Sequence, residues 1–156
     1  MSWVFRLVMP AGWNTSIAGD WAIGAGAWTE EASTPVWFWS ATNGRTVRGI
    51  RFVREVGRST QDYEALSINP FDLPDTWSRV DIVAMLSRCD VFSSIPGASA
   101  VVIEDGTTTL SIDLADDYER EYGVCLACLV RRGMQWELAL DGTGFHQPSK
   151  EQPHAL

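Results

Sequence analysis

Short apolar stretches, alternating or continuous, are separated along the chain by glycine, proline and asparagine punctuation. Trp3 to Val8 reads as a strand. So does Pro35 to Ser40, where β-branched and aromatic residues follow Ser33-Thr34-Pro35. Asp20 to Trp28 makes a third strand, weakened by Gly24 and Gly26. Asn43-Gly44 is a strong two-residue turn signal and predicts a hairpin of 36–41 with 46–56. The first half therefore reads as an antiparallel meander.

Gln61 to Pro74 reads as a connection with a short helical turn near Asp62–Leu66. Asp75 then follows Pro74 as a good N-cap. Trp77, Val80, Val83, Ala84 and Leu86 recur at helical spacing, which predicts the main helix over about 75–89. Asp90 to Ser99 is a loop through Pro96-Gly97. Ala100–Glu104 and Thr107–Asp113, joined by Asp105-Gly106, form the clearest hairpin. A charged link, 116–122, leads to a wholly apolar strand over 124–130. Arg132-Gly133 turns the chain into a last strand, 134–140. The predicted class is α+β: a single mostly antiparallel sheet, a meander plus two C-terminal hairpins, with one main helix packed on one face. Residues 1–142 make the globular domain, and 143–156 a flexible polar tail.

Length and composition narrow the chemistry. The chain of 156 residues fits one domain, and 46% hydrophobic with 21% charged residues excludes wholesale disorder. The N-terminal apolar run is broken by Arg6, ended by Pro10 and preceded by no basic leader, so it does not read as a signal peptide. Nothing approaches the roughly 20 apolar residues of a membrane span. The expected compartment is the cytoplasm, with no membrane partner.

Three cysteines, Cys89, Cys125 and Cys128, read as free thiols. Cys125 and Cys128 form a C-x-x-C spacing, but it sits inside the apolar strand. In a regular strand, positions three apart face opposite ways, so the two sulfurs are expected to diverge as small buried hydrophobes. His146 and His154 both lie in the tail, where neither can be fixed beside a nucleophile. Gly24-Ala25-Gly26 has Thr29 where a dinucleotide fingerprint needs glycine. No catalytic residue, cofactor or metal is expected.

Charge is distributed unevenly. Residues 1–60 hold six arginines and four acids, a net of +2; residues 61–156 hold six basic residues and sixteen acids, a net of −10. An acidic surface repels a phosphate backbone and attracts cationic partners, so no nucleic-acid partner is expected. The basic row from Arg45 to Arg58 reads as a strand edge protected by charge, pairing with the chain's own carboxylates.

The candidate partner-binding residues form an acidic patch, Asp113, Asp116, Asp117, Glu119 and Glu121, extended by Glu104 with Asp105 and by Asp62 with Glu64. Eight tryptophans are the one compositional excess. Trp37 and Trp39, two apart on a strand, share a face. Trp13, in a turn-like context, and Tyr118, within the acidic link, are the expected aromatic anchors. The expected function is a non-catalytic acidic protein that neutralises or escorts a cationic protein, in the manner of a bacterial immunity protein or antitoxin. Two other readings stand beside it: a carboxylate enzyme or carbohydrate-binding protein with a tryptophan-lined pocket, and a self-associating structural subunit.

Overall fold

The computed structural model describes residues 2–10, 21–39, 47–55, 61–86 and 91–146. Eleven strands account for most of them: β1 Trp3–Pro10, β2 Trp21–Thr29, β3 Val36–Trp39, β4 Ile50–Glu55, β5 Gln61–Ile68, β6 Trp77–Leu86, β7 Ser99–Glu104, β8 Thr107–Asp113, β9 Glu121–Arg132, β10 Gln135–Leu140 and β11 Gly144–His146. One four-residue helix, α1, Leu114–Asp117, and two 3-10 turns complete the described elements. The strands form two antiparallel sheets. The first has the order β4-β5-β1-β7-β8; the second has β10-β9-β6-β2-β3, with β11 pairing β9. The architecture is a β-sandwich, not a single sheet covered by a helix.

The expected helix over 75–89 is the central strand β6, hydrogen-bonded to β2 on one side and β9 on the other. Val80, Ile82, Ala84 and Leu86 alternate into the core at 0–3% exposure. Val83 is buried on the opposite face, so the segment is apolar on both sides. A strand apolar on both faces reads as a continuous apolar run, and its spacing imitates a helix. Two ladders of backbone hydrogen bonds and β-branched packing then decide the outcome.

The expected connection 61–74 holds strand β5, antiparallel to both β1 and β4. The expected hairpin 36–41/46–56 does not form, because β3 pairs β2 in the second sheet while β4 pairs β5 in the first. Its turn, Asn43-Gly44, lies outside the described residues. The β7–β8 hairpin is as expected, turning on Asp105 (φ 48°) and Gly106 (φ 84°). Part of the expected tail, Gly144–His146, is strand β11.

The core lies between the sheets. Phe5, Leu7, Leu66 and Ile68 of the first meet Trp21, Ile23, Ile82 and Leu126 of the second, all at 0% exposure. Strand β9 carries a bulge. Ile82 pairs Ala127 but Val83 pairs Cys125, so Leu126 is the extra residue. Cys125 and Cys128 therefore lie opposite Val83 and Asp81, two apart on β6, and face the same outer side. The divergence expected of a regular strand is overturned by that one inserted residue.

Candidate partner-binding groove

At one end of the sandwich, the β2–β3 connection, the segment entering β6 and the β9–β10 hairpin enclose an open groove of about 700 Å³. Glu30 and Glu31 line it from the first, Asp75 and Trp77 from the second, Arg131 from the third. Asp75, expected as a helix cap, is an exposed groove residue because no helix follows it. The Trp77 ring packs tilted on Phe38 with centroids 5.7 Å apart.

Arg131 holds the groove wall rather than neutralising it. Its Nε donates to the Trp77 carbonyl at 2.9 Å and its Nη2 to the Pro74 carbonyl at 3.0 Å. Its guanidinium lies 4.7 Å from the Trp136 ring centroid. Among the described residues, the Glu30, Glu31 and Asp75 carboxylates have no hydrogen bond or ion pair. Beside them, Phe71 and Met134 flank a cavity of about 130 Å³ floored by Trp136. These two loop-tip side chains are 76% and 94% exposed. Unneutralised carboxylates next to bare apolar side chains make a surface suited to a basic, partly apolar segment.

The acidic patch expected from the sequence is divided by the fold. Asp113 caps α1 and accepts a hydrogen bond from the Asp116 N–H at 3.1 Å. The Asp113 carboxylate in turn pushes the Asp116 carboxyl above its ordinary range. Asp117 and Glu119 are exposed nearby, and Glu121 is half-buried with its carboxylate accepting the Arg120 N–H at 3.1 Å. Glu104 and Asp105 lie at the far end of the β7–β8 hairpin, since Ser99 pairs Asp113 but Glu104 pairs Thr107. Five residues at ~3.3 Å each put those ends about 17 Å apart. Glu104 accepts from Trp3 Nε1 at 3.2 Å, and Asp105 from the Ser2 N–H at 2.8 Å. Asp62 and Glu64 are not surface residues at all. They are buried at 1% and 0%, with Glu64 Oε1 accepting the Ile23 N–H across the sandwich at 3.1 Å.

Of the two expected anchors, Trp13 lies outside the described residues. Tyr118 is part of the structure's own packing. Its ring is half-buried against the core and its hydroxyl donates to the Gly142 carbonyl at 2.8 Å. Burial, then the charges of Asp117, Glu121 and Asp141, push the phenol above its ordinary range. Asp141 joins this end unanticipated. It accepts from the Gly142 and Thr143 N–H groups at 2.7 and 2.9 Å and from the Thr143 hydroxyl at 2.7 Å. Burial opposes its ionisation, but the Thr143 and Gly142 hydrogen bonds outweigh it and hold the carboxyl low.

The two thiols are inert. Burial first, then nearby carboxylates, push Cys125 up to about 12 and Cys128 up to about 11, so neither is a thiolate at neutral pH. Among the described residues, no group of three or more His, Cys, Asp or Glu side chains is set to hold a metal. No described helix is long and apolar enough to cross a membrane. Of the basic row, Arg48 and Arg51 are exposed, Arg51 on the edge strand β4, and neither pairs with a described carboxylate.

The fold is TerD-like. A homologue of the telluride resistance protein TerD from Streptomyces coelicolor A3(2) has the same architecture, with a TM-score of 0.75 at 18% identity over 94% of this chain and 90% of that one. SAV2460, a protein of unknown function, matches with a TM-score of 0.75 at 14% identity over 94% and 91% of the two chains. No family model and no curated protein matches the sequence. At such identities the likeness is one of fold. On this TerD-like sandwich the Glu30–Glu31–Asp75 groove had only faint sequence signals. Glu30-Glu31 follows an apolar strand and Asp75 follows a proline, but 44 residues separate the two acidic points and only the β2–β6 pairing unites them.

Proposed function

We propose that the protein is a non-catalytic acidic binding protein of the cytoplasm that takes a basic segment of a protein partner into the groove of Glu30, Glu31, Asp75 and Trp77. The observation that supports this reading is the imbalance inside the groove: three carboxylates without a cation, and one guanidinium already committed to two backbone carbonyls. A lysine or arginine of the partner supplies the missing charge, and the Trp77 ring offers its stem an apolar wall. Phe71 and Met134 add exposed apolar area beside it. Neutralisation of a basic toxin, in the manner of an immunity protein, is the role this surface suits best; it requires recognition and steering, and no bond-making group.

The test is a titration of the protein with deca-lysine, followed by the Trp77 indole N–H resonance. Binding is expected to weaken at least ~10-fold between low and physiological salt, because surface charges are screened over about 8–10 Å. The triple variant Glu30→Gln, Glu31→Gln, Asp75→Asn is expected to lose about as much affinity again. Unchanged affinity in that variant, or perturbations confined to the α1 end, rejects the groove as the site. Affinity capture from the host then asks whether the natural partner is basic; a neutral or acidic one rejects the wider reading.

A further inference from the structure

The outer face of the second sheet is unlike a solvated face. Strand register puts Trp28, Trp37, Trp39, Met85 and Phe145 on it. Trp37 and Trp39 stack with centroids 5.2 Å apart and planes 15° from parallel. They lie on a floor of Gly24 and Gly26, where a Cβ on Gly24 would come within 2.3 Å of the Trp39 ring. A hollow of about 330 Å³ separates this indole slab from Met85 and Phe145. Two charge pairs lie within the face, Arg79 with Asp81 at 2.8 Å and Glu137 with Arg132 at 2.6 Å, and the Asp141 carboxylate sits beside Cys125 at the β10 edge. Burial opposes ionisation of Asp81, but hydrogen bonds from Arg79 and Trp28 hold its carboxyl below the ordinary range, so the pair stays formed at neutral pH.

We propose that this face is the interface of a two-fold dimer of the chain. The proposal does not depend on the groove reading. An antiparallel sheet in a soluble monomer shows polar side chains on its outer face, and an apolar outer face is a surface that something covers. Five strands at ~4.8 Å spacing and about seven residues at ~3.3 Å give a face on the order of 500 Å². Two copies then bury about 1,000 Å², the lower end of specific interfaces. A cationic partner gains less here than in the groove, because the one uncompensated carboxylate identified on this face, Asp141, lies at the β10 edge, across the sheet from the indoles of β3. A second copy brings a matching aromatic surface, with the Asp141 carboxylate kept at the opposite edge of the sheet from the stacked indoles. A two-fold axis also makes such a patch self-complementary.

Sedimentation equilibrium of the purified full chain tests this. The expected mass is twice 17.3 kDa, with a dissociation constant in about the micromolar range. Met85→Glu and Phe145→Glu, made separately, are each expected to weaken the dimer at least ~10-fold. Ile103→Glu, on the outer face of the first sheet, is expected to leave it unchanged, and circular dichroism confirms that all three fold. Raising salt from about 0.05 to 1 M is expected to leave the dimer intact or tighten it, because apolar contact is not screened. A monomer at about 100 µM, well above the expected range, overturns the proposal. So does a dimer that persists in both variants, or one that salt dissociates.

Discussion

The two sheets share one core yet differ in what they show to the outside: aliphatic and polar side chains on the first, a stacked aromatic slab on the second. On the first sheet the outward positions mix Arg6, Arg51, Ser67, Ser111 and Asp113 with Val4, Val8, Val53, Val101 and Ile103, and Arg6 lies 4.9 Å over the Tyr63 ring. On the second they carry tryptophans, glycines, Met85, Cys125 and Cys128, with the pairs Arg79–Asp81 and Arg132–Glu137 and the Asp141 carboxylate beside Cys125 as charged exceptions. Both faces are built by the same period-two alternation. The first face scatters aliphatic side chains among polar ones; the second gathers its rings into a stacked slab.

The largest effect should come from disturbing the glycine floor. Gly24→Val drives a side chain into the Trp39 ring, and is expected to cost about 2–3 kcal/mol in urea unfolding. Ser67→Val, at a central outward position of the first sheet, is expected to stay within about 0.5 kcal/mol. Equal costs for the two would mean that the indole slab is not fixed and that the two faces do not differ in order.

A smaller effect should follow from the Arg79–Asp81–Trp28 group. Asp81 accepts from Arg79 Nε and Nη2 at 2.9 and 2.8 Å and from Trp28 Nε1 at 2.9 Å. Asp81→Asn is expected to lower stability by about 1–2 kcal/mol at pH 7. The folded carboxyl is held below its unfolded value. Its contribution is therefore complete above about pH 4 and is lost as pH falls through the folded pKa. Melting temperatures of the two proteins should converge in acid. A gap that stays constant down to pH about 2 would sink the electrostatic account.

The smallest effect concerns the α1 end. Tyr118→Phe removes the hydrogen bond to the Gly142 carbonyl and leaves that half-buried acceptor for water, at an expected cost of about 1 kcal/mol in the same unfolding measurement. No change in deca-lysine binding should accompany it, since Tyr118 does not line the proposed groove.

Particular residues show where sequence reading succeeds. The β7–β8 hairpin was legible because Asp105-Gly106 has a turn chemistry that few other conformations accept. Strand β9 was legible because a seven-residue apolar run bounded by glycine and arginine suits a buried strand. Strand β6 was not, because Trp77, Val80, Val83 and Ala84 satisfy a helical spacing once both faces are apolar. Gly24 and Gly26 were read as weakness in β2. Their role, to make room for Trp39 and Trp37, depends on a neighbouring strand that no local pattern identifies. The fold spreads the acidic residues apart for the same reason. Asp62 and Glu64 are near in sequence to a turn but point into the core, while Glu30 and Asp75 are distant in sequence and meet at one groove.

Composition, charge sign, the position of strong turns and the existence of most strands are local properties, and the amino-acid order alone determined them. Which strands pair, which face of each is inward, and therefore which carboxylates and rings reach solvent are non-local. A single bulge at Leu126 turns two thiols to one side, and a single pairing of β3 with β2 lays two indoles on two glycines. Backbone hydrogen bonds between strands carry no record in the side-chain pattern of who the partner is, so that part of the protein was decided only when the sheets assembled.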